Sequence, residues 1–189
     1  VLILLSFLVT TANAKSLPSF SLTLSPTNDL SDRLAADKDF QDFALGVYNL
    51  VAKIQRTKTS TLFANYLNRT ISTEEKIIFL EKTGYQTEQE LISFFVNNNN
   101  HKTAFNTKFP ALHKIDDSKI VLVEAFKIVV KNFFKPSHTD LECLAAFAAS
   151  LNACYSGCYI YANDPFQCTL DCWTAISALY FMCILTAEL

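Results

Sequence analysis

From Phe40 onward the apolar residues return every three or four positions. Phe40, Phe43, Val47, Leu50 and Ile54 share one helical face with polar residues between them, and Asp37 and Asp39 stand near the start, which predicts an amphipathic helix over about 38–58. A shorter helix over 61–69 follows through Phe63, Tyr66 and Leu67. Ser72 and Glu75 have the spacing of a capping box and Gly84 supplies a stop, so a third helix is expected between them with Ile77, Ile78 and Leu80 facing inward. Thr87 and Glu90 repeat the device ahead of Leu91, Phe94 and Phe95. That helix is expected to end in the tract Asn97–Asn100, with a loop or broken helix to Pro110.

Residues 119–135 are rich in β-branched side chains, Ile120, Val121, Val123, Ile128, Val129 and Val130 among them, and pull toward a strand. The polar positions decide the matter. Glu124, Lys127, Lys131 and Lys135 recur at three and four, which places them on one helical face and cannot be an alternating strand; Pro136 stops the helix. A third capping box, Thr139 with Glu142, opens a helix over about 140–161, and Asp164 with Pro165 opens another over about 165–186.

The first 37 residues lack this periodicity. Val1 to Val9 are apolar except for Ser6, and Ala12-Asn13-Ala14 is a small-x-small triplet, so residues 1–14 read as a secretory signal peptide cleaved near Ala14. Residues 15–37 contain Ser, Thr and Pro without a regular pattern and are expected to form an extended arm. Residues 38–189 then form a single helical domain, with amphipathic helices over 38–136 and a cysteine-bearing hairpin over 139–189.

Six cysteines lie in that hairpin as a palindrome. Cys143, Cys154, Cys158, Cys168, Cys172 and Cys183 are separated by 10, 3, 9, 3 and 10 residues, with a mirror point at Asn163. On a helix the first three fall within about 60° of one another, as do the last three. Two antiparallel helices folded back at Asn163 would carry facing thiol stripes and close three nested bridges, Cys143–Cys183, Cys154–Cys172 and Cys158–Cys168. Pairing of Cys154 with Cys158 within one helix is the nearest competitor. An even set of clustered cysteines behind an export signal favours disulfides and a secreted or periplasmic location.

The segment Cys154-x3-Cys158-x9-Cys168-x3-Cys172 resembles the twin CX3C hairpin of the small mitochondrial Tim chaperones over 19 residues. Nested bridging between helices is also similar to that of saposin-like proteins, whose cysteines enclose about twice this length. Both are shared geometry and carry no assignment of membership. The i,i+4 thiols resemble those of cysteine-lined copper-storage bundles too, so four reduced thiolates would suit zinc or Cu(I).

Composition narrows the function classes. Sixteen Phe and seven Tyr against three Gly favour a helical core over a many-stranded protein. Net charge is −2, but all 16 Lys and Arg precede residue 139, whereas residues 139–189 hold five acids and no base. Neither part is charged enough to take nucleic acid as a partner. The hairpin is apolar beyond its cysteine stripes, through Leu144, Phe147, Leu151, Tyr155, Trp173, Ile176, Leu179, Tyr180 and Ile184. It is expected either as the buried post of the bundle or as an element that meets a membrane or hydrophobic ligand.

Catalytic constellations are missing from the sequence. His101, His113 and His138 stand in no ligand spacing, and there is no GxSxG, phosphate-cradling loop or CxxC pair. The acid pairs Glu74–Glu75 and Asp116–Asp117 sit at helix starts, where the macrodipole favours negative charge. The Lys127, Lys131, Lys135 stripe reads as a solvated face. Asn68-Arg69-Thr70 is a sequon that makes Asn68 a candidate N-glycosylation acceptor.

The expectation is therefore an all-α bundle of about six or seven helices ending in an antiparallel hairpin with three nested disulfides. It acts by binding an unknown protein or hydrophobic ligand, without cofactor, metal or catalysis. Two rival expectations are a toxin or bacteriocin-like precursor with a membrane-active 139–189 hairpin, and a thiolate carrier of copper or zinc.

Overall fold

The computed structural model describes residues 26–113, 118–135, 138–161, 167–173, 175–176, 180 and 183. The expected signal peptide, the turn at Asn163, the Asp164–Pro165 cap and the side chain of Thr139 fall outside them. Among the described residues every regular element is helical: α1 (Pro26–Ala36), α2 (Lys38–Thr57), α3 (Ser60–Leu67), α4 (Thr73–Thr83), α5 (Glu88–Lys108), a 3-10 turn (Pro110–His113), α6 (Ser118–Phe133) and α7 (His138–Tyr161). Helical backbone returns at 167–173, 175–176, 180 and 183, here termed the second cysteine arm. The all-α bundle expected from the periodicity is what the chain forms.

Helix α2 is the axis of the bundle. Its buried face carries Phe40, Phe43, Ala44, Val47, Leu50, Val51 and Ile54, and it packs against α5 and α6. Asp37 caps it by accepting from the backbone N–H groups of Asp39 and Phe40 at 3.0 and 3.1 Å. Phe40 and Phe43 meet Phe105 of α5 edge-on, with ring centroids 5.1 and 5.4 Å apart. Gly46 permits the close approach of these two helices, since a Cβ there would stand 3.0 Å from Nδ2 of Asn98.

Three expectations are corrected. Residues 26–36 are helix α1, and not part of an extended arm: Leu30, Leu34 and Ala35 form a short apolar stripe that docks on α6, and burying it outweighs the weak local pattern. The helical unit therefore takes in α1. Helix α5 does not stop in Asn97–Asn100 but runs on to Lys108. Asn is a poor helix former, yet Asn98 is buried and its Nδ2 donates to the Phe43 carbonyl at 3.1 Å, so a tertiary contact offsets the local preference.

In α4, Ile77 and Ile78 do not face inward. They are 59% and 43% exposed, whereas Leu80 is buried as expected and Phe79 is buried beside it. The reason lies in α3, whose Phe63 and Tyr66 rings both stack on Phe79 with centroids 5.8 Å apart and so choose which side of α4 turns in. Its ends form as expected. Ser72 and Glu75 exchange both capping-box bonds, at 2.9 and 3.2 Å, and Gly84 closes the helix at φ 78°.

Helix α6 buries Val121, Leu122, Ala125, Phe126, Val129 and Val130 between α1 and α7, so its β-branched residues pack as a helical face. Helix α7 begins at His138, two residues ahead of the expected start. The described apolar residues of the hairpin are inside the bundle, Leu179 and Ile184 lying outside the described residues: Trp173 is fully buried, with Phe95 and Phe147 at 5.4 Å, Phe63 at 6.0 Å and Phe94 at 6.2 Å. Its indole N–H donates to the hydroxyl of Tyr155 on α7.

Candidate functional site

Three disulfides join α7 to the second cysteine arm in the nested order. Cys143–Cys183, Cys154–Cys172 and Cys158–Cys168 have Cα separations of 5.8, 5.7 and 5.5 Å. Ascending positions on one arm pair with descending positions on the other, so the arms run antiparallel. No described cysteine is free. The bridges are staggered in depth. Cys158 and Cys172 are each 1% exposed, whereas their partners Cys168 and Cys154 are half-buried, and the Cys158 and Cys172 sulfurs touch at 3.5 Å although they belong to different bridges.

The sulfurs of Cys158, Cys168 and Cys172 lie within 4.8 Å of one another, close enough to share an ion. As disulfide sulfurs they lack the thiolate charge that binds zinc or Cu(I), so carriage of such a metal would require reduction first.

Beside the bridges is a cavity of about 560 Å³. Asn106 of α5, Leu122 of α6, Ala149, Asn152 and Cys154 of α7, and Ile176 of the second arm form its walls, and Ser118 and Lys119 at the start of α6 belong to its lining as well. The volume is in the range that holds a small organic molecule. Asn106 and Asn152 are both buried, and Nδ2 of Asn106 donates to Oδ1 of Asn152 at 3.0 Å. The side-chain amide oxygen Oδ1 of Asn106 is buried without a hydrogen-bond partner.

Asn106 belongs to a polar line on the otherwise buried face of α5 that sequence reasoning missed. Lys102 stands four and three residues after Asn98 and Asn99, Asn106 follows it by four, and all four side chains are buried. Burial pushes the Lys102 ammonium down to about 8, because a charge there has given up much of its hydration. The spacing was present in the sequence. Only the expectation of a stop at Asn97–Asn100 concealed it.

A second polar group ties the start of α2 to the end of α5. His101 Nδ1 lies 3.0 Å from Asp39, and Lys108 Nζ donates to Asp37 at 2.8 Å and to Asp39 at 2.6 Å. The Lys108 hydrogen bond, followed by that of His101, holds Asp39 below the usual carboxylate range. This arrangement clasps two helices.

The remaining candidates are dispersed. Lys127 is not on a solvated face: its side chain is 13% exposed and pairs with Glu124 at 3.1 Å and Glu142 of α7 at 2.6 Å. Burial lowers its pKa, but the hydrogen bonds it donates to Glu142 and Glu124 outweigh this and raise it. Lys131 and Lys135 are exposed as expected. Asn68 is exposed at the end of α3, next to Arg69 at φ 58°. Glu75 is used in the α4 cap. Asp116 and Asp117, and the side chains of His113 and His138, lie outside the described residues.

Among the described residues no helix is long and apolar enough to cross a membrane. Comparison with known proteins finds no matching family, no matching curated protein and no matching solved structure.

Proposed function

We propose that the chain is an exported, disulfide-locked helical protein that binds a small apolar or amphipathic ligand, or a protein bearing such a group, without catalysing a reaction. The observation that carries this reading is the cavity beside the nested bridges. Its walls come from three helices and the second arm, and covalent crosslinks hold two of those four elements at fixed spacing, which lowers the ordering cost of binding. Burial of Trp173 and Tyr155 inside the bundle supports a post-like role for the hairpin over a membrane-seeking one.

Thermal-shift and native mass measurements on the secreted protein test it, using a panel of fatty acids, sterols and aromatic acids. At least one class should raise the melting temperature, and Leu122→Trp, which fills the cavity, should abolish the rise. Turnover of substrates from an unbiased hydrolase panel by the wild-type protein would overturn the reading, as would binding that Leu122→Trp leaves intact. An amino terminus near Lys15 in the mature protein is the expected sign of export.

A further inference from the structure

Two sulfurs from separate bridges in contact provide a route by which a thiolate can move through the hairpin. Cys154 is half-buried and lines the cavity, so of the Cys154–Cys172 pair it is the atom that a small molecule can reach; Cys172 is 1% exposed. Cys158, 3.5 Å from Cys172, is equally buried, and its partner Cys168 is half-buried.

We propose that Cys154 is a site of S-thiolation by a low-molecular-weight, carboxylate-bearing thiol that enters through the cavity, with Cys168 as the thiol released. The incoming thiolate attacks Cys154 Sγ. A sulfur–sulfur bond forms to Cys154, the Cys154–Cys172 bond breaks, and the electron pair leaves on Cys172. A thiolate at that buried position is poorly solvated. Freed from Cys154, it turns about its Cα–Cβ bond into line with the Cys158–Cys168 bond and attacks Cys158, forming Cys158–Cys172 and breaking Cys158–Cys168, so the charge leaves on half-buried Cys168, where water can solvate or protonate it. One thiolate enters and one departs, with no net oxidation or reduction.

Two features give the process its direction. The second exchange moves charge from a buried to a more solvated sulfur, and the inner crosslink is replaced and not lost, so the arms stay joined. Lys119, exposed and part of the cavity lining, supplies a positive charge for a carboxylate on the incoming thiol. The outer Cys143–Cys183 bridge takes no part.

The test is to incubate the folded, fully oxidised protein with reduced glutathione under non-denaturing conditions, quench with acid, alkylate, and map the cysteines by peptide mass. The expected product carries one glutathionyl group on Cys154, one alkylated thiol at Cys168, a new Cys158–Cys172 crosslink and an intact Cys143–Cys183 bridge. An adduct on Cys168, or an alkylated Cys172 with Cys158–Cys168 intact, would overturn the proposal; so would absence of any adduct while the protein stays folded. Cys154→Ser gives a second reading without added thiol. Its free thiol should be found at Cys168, whereas a free Cys172 counts against the relay, and if that variant fails to fold the wild-type map alone decides.

Discussion

Asn106 and Asn152, 46 residues apart in sequence, meet side chain to side chain at 3.0 Å in the interior and link α5 to α7. The bond joins two neutral amides, so its removal mainly exposes the cost of an unsatisfied partner. Asn152→Ala should destabilise the fold by about 1–3 kcal/mol, and the double change to Leu at both positions should cost less than the single one. Urea unfolding of the two variants beside the wild type measures this.

Lys102 gives a pH signature of opposite sign to that of a surface ion pair. Its folded value is depressed to about 8 from 10.5, so between those values the unfolded chain binds the extra proton and stability rises with pH. Below about pH 8 the full penalty of the buried charge is present. Lys102→Met should therefore stabilise the protein at pH 7 by roughly 1–3 kcal/mol, and the gain should shrink as pH rises from 8 toward 10.5.

The Asp39–Lys108 clasp behaves in the other sense. Asp39 is lowered, so its contribution is present above 3.8 and lost as pH falls through the depressed folded value; Lys108 is raised by Asp37 and Asp39, so its contribution is present below 10.5 and lost above it. Lys108→Met should weaken the native state between those limits and flatten the acid limb of a denaturation midpoint plotted against pH. An acid limb identical to that of the wild type would contradict the assignment.

Bridge removal should follow loop length as modified by nesting. Cys143 and Cys183 are 40 residues apart, with the middle bridge already closing 18 of them, so losing the outer bridge frees roughly 22 residues and should cost about 3 kcal/mol. Cys158 and Cys168 are 10 apart inside that middle loop, and the residual slack is shorter, so replacing both by Ala should cost less. Melting temperatures of the two double-alanine variants give the order.

The two arms of α4 chemistry separate a true core position from an apparent one. Phe79→Ala should cost about 3–5 kcal/mol, because the ring is buried between Phe63 and Tyr66, whereas Ile77→Lys should stay within roughly 0.5 kcal/mol. Equal losses would place Ile77 in a contact that its 59% exposure excludes.

What the sequence made legible was whatever rests on local rules or on covalent symmetry. The existence of α2 to α7, the Ser72–Glu75 cap and the Gly84 stop follow from spacing, and the cysteine palindrome favoured the nested order over pairing within one helix. What stayed hidden depends on distant partners. Nothing near Ile77 says that Phe79 will be claimed by α3, and nothing near Asn98 says that the Phe43 carbonyl will accept its amide. The same is true of Leu30 and Leu34, whose stripe is too short to declare a helix until α6 is beside it. The cavity was beyond reach for a similar reason, since it is a gap left by four elements and belongs to none of them.

The nesting of the crosslinks has a consequence for the lifetime of the molecule among proteases. Every peptide bond from Cys158 to Cys168 is spanned by all three bridges, so an endoprotease that nicks the backbone there liberates no fragment. The severed halves would still migrate as one species until a reductant is added. Clipping at that end of the protein is thus a scar without a loss.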